Sequence, residues 1–249
     1  MKKHIPNCIT LLNLLCGSLA IIFTLKFNEP LIAVGLIALA ALFDLLDGMF
    51  ARWLHATSSI GADLDSLSDV VSFGLAPALL VFTLLTRQTS WFFLDLLHPS
   101  IIAFVALLLP LFAALRLAKF NNDTRQHYYF FGLPVPANAL FWCGYTVYYL
   151  ENSSGGAELT VVLVVAFSLL MISEVRMLSV KMFGTKEINQ RYKKQSMIGW
   201  VIVVGGSLIA CLLWGILGIS FAVVLYVLVS LVTHILNGSQ LRQDEGLNK

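Results

Sequence analysis

The chain has 249 residues, of which 58% are apolar and only 12% charged, about half the ~25% typical of a soluble domain. Its 16 basic and 14 acidic side chains cannot cover a water-soluble globule while so much of the chain seeks burial, so the solvent is largely lipid. The net charge of +2 is too mild to argue for a nucleic-acid partner, and none is expected. Cys8, Cys16, Cys143 and Cys211 lie in apolar runs with no C-x-x-C spacing. That pattern argues against a disulfide framework or a zinc cage and reads as small buried hydrophobes.

A spanning helix needs roughly 20 mostly apolar residues. In chain order the sequence predicts about eight, at 8–27, 31–53, 61–85, 101–118, 134–150, 158–175, 197–216 and 218–237. The expected fold is all-α, a polytopic membrane helical bundle forming a single domain over residues 1–249, with no internal repeat or linker. Lys2 and Lys3 precede the first segment as they would a signal peptide, but no small-residue cleavage site precedes Phe27 and Asn28, so a retained helix is expected. Only the stretch from Gly215 to Gly218 divides the last two segments, which predicts a tight helical hairpin.

An even number of spans puts both termini on one side, and that side carries all of the sixteen lysines and arginines except Lys26 and Arg87. The opposite side carries Glu29, Asp95, Glu151 and Glu158. The positive-inside rule therefore places both ends in the cytoplasm, in a multi-pass protein of the inner cell membrane. Trp91, Phe92, Phe93 and Leu94 mark an interfacial segment on the outer face, within 87–100. On the cytoplasmic side run the polar loop 119–133 and a basic stretch from Ser179 to Gln195, which reads as a stop signal resting on anionic headgroups.

Charge inside a spanning segment is costly, so an intramembrane carboxylate is a functional signal by default. The second segment ends Asp44-Leu45-Leu46-Asp47-Gly48-Met49-Phe50-Ala51-Arg52, and the third begins Gly61-Ala62-Asp63-Leu64-Asp65-Ser66-Leu67-Ser68-Asp69. Helical spacing puts Asp44, Asp47, Gly48 and Ala51 on one face and Gly61, Asp65 and Asp69 on another. A short turn predicts that the two helices run antiparallel as neighbours with their acidic faces converging. Four carboxylates cannot all stay ionised in a low-dielectric site without cations, because they repel one another and burial penalises each charge. Oxygen-only ligands select Mg²⁺ or Mn²⁺, and two such ions can clamp a phosphoryl group. Gly48 and Gly61 remove side chains where a phosphate or nucleotide must approach the backbone, and Ala51 extends that bare face. Asp63 lies off the shared face and is expected either to support the ligating carboxylates from behind or to be solvated. The alternative from a different class is a transporter whose acids line an ion path, although such sites tend to lie near the midplane rather than at one membrane face.

The pattern Asp44-x-x-Asp47-Gly48-x-x-Ala51-Arg52, then Gly61-x-x-x-Asp65-x-x-x-Asp69, resembles the signature of the CDP-alcohol phosphatidyltransferases at all eight of its defined positions. Four further stretches look like the serine-using branch of that family: Ile5-Pro6-Asn7-x-x-Thr10-x-x-Asn13 with Gly17, Ser72-Phe73-Gly74-x-Ala76-Pro77-Ala78, Arg116-Leu117-Ala118-Lys119-Phe120-Asn121, and Phe131-Gly132-Leu133-Pro134-x-Pro136. The similarity then covers roughly residues 5–140, and the C-terminal third matches only loosely. Lys119 departs from the arginine expected there, so a bidentate contact at that position is not carried over.

The resemblance implies a transferase that moves the phosphatidyl group of CDP-diacylglycerol to an alcohol and releases CMP, with a metal pair held by Asp44, Asp47, Asp65 and Asp69. It further implies that Asp69 is the catalytic base and that Gly48, Ala51, Arg52 and Gly61 border the CDP moiety. Arg52 can pair with a phosphate or simply snorkel. Asn7, Thr10 and Asn13 share a helical face and could bond the nucleotide or diphosphate, with helix capping an equal reading for Asn7. L-Serine brings a carboxylate and an ammonium, and Arg116 with Asn121 offers the minimum to bind both. Glycerol 3-phosphate, the alternative acceptor, would want a denser basic cluster, but Arg116, Lys119 and Arg125 are not sparse enough to decide between the two, and the branch motifs carry the expectation of serine. His4, His55, His98, His127 and His234 look incidental. Gly206 and Ala210 suit close helix packing, within the chain or between copies in a homodimer.

Overall fold

The computed structural model describes residues 4–55, 59–87, 99–122, 130–152, 156–178 and 190–246. The outer segment with Trp91, Phe92, Phe93 and Leu94, together with His98, Arg125, His127 and the basic stretch 179–189, lies outside the described residues.

Eight helical rods follow one another along the described chain. The first is α1 (His4–Ile22), which opens with Pro6 in its first turn, where a missing N–H costs no hydrogen bond. It closes in a widened π turn, Phe23–Phe27, followed by Asn28 at φ 59°. The second, α2 (Pro30–Trp53), again starts on proline. The third is built from α3 (Ser59–Asp69), a π turn at Val70–Leu75 and α4 (Ala76–Thr86). In that π turn the Ala76 N–H reaches back to the Val71 carbonyl, just ahead of Pro77, which cannot donate to a regular ladder. The fourth joins α5 (Pro99–Ala103) through a 3₁₀ turn to α6 (Leu108–Asn122).

The remaining rods are α7 (Val135–Asn152), α8 (Ala157–Ile172), α9 (Gln190–Trp214) and α10 (Leu217–Gly246). Two-residue strands, β1 (Phe130–Phe131) and β2 (Arg176–Met177), pair antiparallel with Phe131 opposite Arg176. Among the described residues this short ladder is a local clasp between helices. Gly132, at φ 72°, turns the chain out of β1 so close to the Met171 carbonyl that a Cβ would collide with it. Gly215, at φ 57°, makes the expected hairpin between α9 and α10.

Among the described residues, six rods are long and apolar enough to cross a membrane: 4–27, 30–53, 60–86, 103–122, 195–214 and 217–236. The expected spans at 134–150 and 158–175 are helical but differ from these six. At ~1.5 Å per residue, the 16 residues of α8 fall short of a bilayer core, because Ser173 turns extended at ψ 155° and ends the helix. Most of α7 is buried, including Asn138, Phe141, Trp142, Tyr145 and Thr146, so it sits inside the bundle and need not match lipid along its length. Leu11, Leu15, Leu39, Leu111 and Leu208 are among many large apolar side chains exposed on the outer rods, as a lipid-facing surface requires.

Lipid tails are as apolar as leucine, so close packing and hydrogen bonds between helices hold such a bundle together. The Phe141 and Phe167 rings stack at 4.1 Å, with Trp142 edge-on to Phe141 at 5.1 Å. Tyr145 and Thr160 share a hydroxyl hydrogen bond of 2.6 Å between α7 and α8. Ser220 Oγ donates to the Phe141 carbonyl at 2.6 Å, tying α10 to α7. Gly206 lies against Leu225, so that small residue serves packing within the chain. Cys16 and Cys143 are buried as expected, but Cys8 and Cys211 are exposed because they lie on outward stripes of α1 and α9.

Candidate active site

The acidic faces of α2 and α3 do converge, and α1 packs along both of them. One carboxylate oxygen from each of Asp44, Asp47 and Asp65 lies within 4.8 Å of the others. Asp69, one turn beyond Asp65, stands outside that trio but within electrostatic reach of all three. Asp47 and Asp69 are each 6% exposed, whereas Asp63 is exposed, the solvated one of its two expected places.

The first helix supplies what holds these carboxylates. Thr10 Oγ1 donates to Asp47 Oδ2 at 2.6 Å, and Asn13 Nδ2 donates to Asp69 Oδ1 at 3.3 Å. Thr10 and Asn13 share the face expected of them, yet that face is turned onto the aspartates, one from each acidic helix. Two serines that the sequence reading did not single out individually complete the seam. Ser68 Oγ donates to the Thr10 carbonyl at 3.3 Å, and Ser72 Oγ donates to the Asn13 carbonyl at 3.0 Å. Their signal was present: Ser68 and Ser72 follow Asp65 at three and seven residues, on the face that carries Asp69. Gly17 lies against Ser72, where a side chain would keep α1 from this approach. Asn7 is half-buried in the first turn rather than at the N-cap, so the capping reading does not hold for a helix that begins at His4.

Around this core the space is open on one side. A Cβ placed on Gly48 would meet nothing within 4 Å. Arg52 is exposed beside it and donates Nε–H to the Gly48 carbonyl at 3.0 Å. Ala51 and Gly61 are half-buried along the same rim. From α6, Arg116 is 7% exposed and lies within electrostatic reach of Asp69, with its guanidinium 5.6 Å from the Phe120 ring. Asn121 donates to Ser66 Oγ at 2.9 Å, which brings the end of α6 onto α3.

These residues fit a hard cation on their own chemistry. Among the described residues, Asp65 Oδ1 and Asn13 Oδ1 are buried oxygen acceptors with no hydrogen-bond donor, in an all-oxygen set of acids that could hold a metal ion. Arg116 Nε is the complementary case, a buried donor without an acceptor. The site therefore offers acceptor oxygens for cations and, a short way off, a cation for an anionic group. His234, read as incidental, instead lies inside α10 and accepts the Arg176 backbone N–H at 3.4 Å.

Comparison with known proteins places this geometry in a family. The family model described as CDP-alcohol phosphatidyltransferase matches residues 3–185, which contain the acidic cluster and every residue placed around it above. Several relatives carry the name CDP-diacylglycerol–serine O-phosphatidyltransferase, among them proteins from three organisms. The Mycobacterium leprae protein is 35% identical over 184 residues, covering 70% of this chain and 57% of its own. That from Methanocaldococcus jannaschii is 35% identical over 175 residues, 69% of this chain and 72% of its own. That from Bacillus subtilis is 36% identical over 134 residues, 54% of this chain and 70% of its own. The chain thus spans little more than half the length of the mycobacterial relatives it matches. Since the family match runs across more than half of the chain and includes the acidic cluster, the chain belongs to the CDP-alcohol phosphatidyltransferase family.

Proposed function

We propose that the protein is a phosphatidylserine synthase, transferring the phosphatidyl group of CDP-diacylglycerol to the hydroxyl of L-serine with release of CMP. The observation that carries the reading is the meeting of Asp44, Asp47 and Asp65 oxygens within 4.8 Å beside a helix face left bare at Gly48. The names of the relatives support serine as the acceptor.

In this reading Asp44, Asp47, Asp65 and Asp69 hold two ions of Mg²⁺ or Mn²⁺. Such ions, when bound, supply charge neutralisation for the diphosphate. Gly48, Ala51 and Gly61 give the CDP moiety room, and Arg52 pairs with a phosphate oxygen. Asn7 contacts the nucleotide, while Thr10 and Asn13 act on it through the carboxylates they hold. Arg116 receives the serine carboxylate and Asn121 its ammonium. Asp69 then takes the serine hydroxyl proton as the new O–P bond forms, and the bond from phosphorus to the CMP oxygen breaks. Fixed placement by Asn13 keeps the Asp69 carboxylate where that proton must go.

The basic-residue asymmetry supports a site on the cytoplasmic face of the inner membrane. A homodimer would have to use a face other than Gly206, which is committed to Leu225. The test is incubation of the purified full chain with CDP-diacylglycerol, Mg²⁺ or Mn²⁺, and each candidate alcohol, scoring CMP release. Release dependent on serine is expected. Release only with glycerol 3-phosphate would make this a sister transferase, and none with any alcohol would return the transporter reading.

A further inference from the structure

The helix pair that carries the acidic cluster is polar on one side only. Along α2, Leu42, Leu45, Met49 and Trp53 follow one another at steps of three and four residues, and all four are exposed. Asp44, Asp47, Gly48 and Ala51 take the opposite face of the same helix. Along α3, Ile60 and Leu67 are 71% and 65% exposed and lie away from the face of Gly61, Asp65 and Asp69. A continuous apolar back marks a surface that water does not cover, and on α2 it extends the lipid-facing surface already seen at Leu39. Both helices therefore meet lipid up to the end that carries the aspartates.

Trp53 closes the α2 stripe. It is the last residue of the helix and 76% exposed, and its ring meets Phe50 edge-on with centroids 6.1 Å apart. A helical side chain leans over the turn that precedes its own Cα, and the Phe50 contact shows the indole doing so. Asp47 comes six residues before Trp53, about 9 Å along the axis. The lean of the ring takes up part of that rise, so the indole stands about one turn from the level of Asp47, on the back of the helix. Indole rings favour the headgroup level of a bilayer, where the ring touches apolar chains and the N–H finds an oxygen acceptor. Arg52, exposed on the neighbouring flank, suits the same anionic layer.

We infer that Trp53 is a positioning residue for the lipid substrate: it pins α2 and α3 at headgroup depth, so that the aspartates meet the diphosphate of a lipid held in the leaflet by its chains. The partner of this surface is the phospholipid headgroup layer itself. The inference rests on the transferase reading and adds a depth requirement that the carboxylates alone do not set. A lipid anchored by its chains cannot rise or sink freely, so every ångström of mismatch between protein and bilayer carries a cost.

The experiment compares Trp53→Leu and Trp53→Tyr with the wild type, as the full chain in phospholipid vesicles, by CMP release with Mn²⁺ and whichever alcohol the wild type accepts. Two lipid substrates are used, long-chain CDP-diacylglycerol in the vesicle and a short-chain form that dissolves in water and needs no depth match. Trp53→Leu keeps an apolar side chain but loses the polar tip. It is expected to raise the KM for the long-chain substrate about three- to tenfold, the scale of a few ångströms of mismatch, while the short-chain KM and kcat stay within about twofold. Trp53→Tyr keeps a ring with a polar tip and is expected to stay close to the wild type. Equal rises for the two substrates would mean that Trp53 acts on the nucleotide or on folding, and would overturn the proposal. An unchanged long-chain KM in Trp53→Leu would do the same. If the wild type releases CMP from neither substrate, the transferase reading falls and depth is read directly. The tryptophan fluorescence that Trp53→Leu removes should then be quenched more by chains brominated next to the headgroup than by chains brominated at their ends, and the reverse order overturns the anchor.

Discussion

Replacing Thr10 by valine would test how the cluster is held. The hydroxyl has one proton and two acceptors in reach, Asp47 Oδ2 at 2.6 Å and the Pro6 carbonyl at 3.0 Å. The shorter contact and the charge on the carboxylate favour Asp47. Thr10 is 3% exposed and Asp47 6%, so water does not readily replace the lost donor. Valine keeps nearly the same shape, so no cavity opens, and the change isolates the hydrogen bond. A bond of this kind to a charged group contributes about 1.5–3 kcal/mol net. At ~1.4 kcal/mol per decade that is about 10- to 100-fold in affinity for the ion that Asp47 would hold. The assay is CMP release titrated with Mn²⁺ at saturating CDP-diacylglycerol and serine. The half-saturating Mn²⁺ concentration is expected to rise by that factor, with the KM for lipid measured at saturating metal little changed. If Thr10 instead touched the nucleotide directly, the lipid KM would rise and the metal requirement would not. That pattern would refute the positioning role.

Chelation should abolish turnover, with Mg²⁺ or Mn²⁺ restoring it and Ca²⁺ restoring little, since sites that clamp phosphoryl oxygens favour small octahedral ions; full activity in excess chelator would remove the metal role from all four aspartates. Asp69→Asn keeps the size of the side chain but cannot take the serine proton, so the single-turnover rate should fall ~100-fold or more while CDP-diacylglycerol binding changes far less; a variant that turns over normally rules out the base. Gly132→Ala sets a Cβ at φ 72° against the Met171 carbonyl, for a backbone cost of roughly 1–2 kcal/mol and a fall of at least about 2–8 °C in Tm by thermal unfolding in detergent. An unshifted Tm there would show that the turn relaxes.

The hydrophobic segments were legible because lipid imposes a rule that acts residue by residue. A segment that crosses must satisfy its own backbone and stay apolar for about 20 residues, so six of the eight rods stand in the sequence as a count of lengths. The acidic faces were legible for a similar reason, since i, i+3, i+4 and i+7 fix which side chains share a helix face before any neighbour is known. The same local rule anticipated the α9–α10 turn, because only glycine takes the positive φ of Gly215 without cost.

What spacing could not supply was the identity of the partner across a helix interface. Thr10 and Asn13 stood on the expected face, but only the packing of α1 along both acidic helices turned them onto Asp47 and Asp69. Apolar length likewise made 134–150 one more span, whereas the tertiary arrangement encloses α7 and so tolerates Asn138 and Thr146 in it. His234 and Tyr226 carried no local sign of their contacts with β2, which lies some fifty residues earlier in the chain. A helix records its own geometry in its sequence, because its hydrogen bonds close within four residues. Contacts between helices depend on rotation and depth set jointly by every neighbour, and for this protein those contacts decide which carboxylates are held, by which donors, and which cation stands beside them.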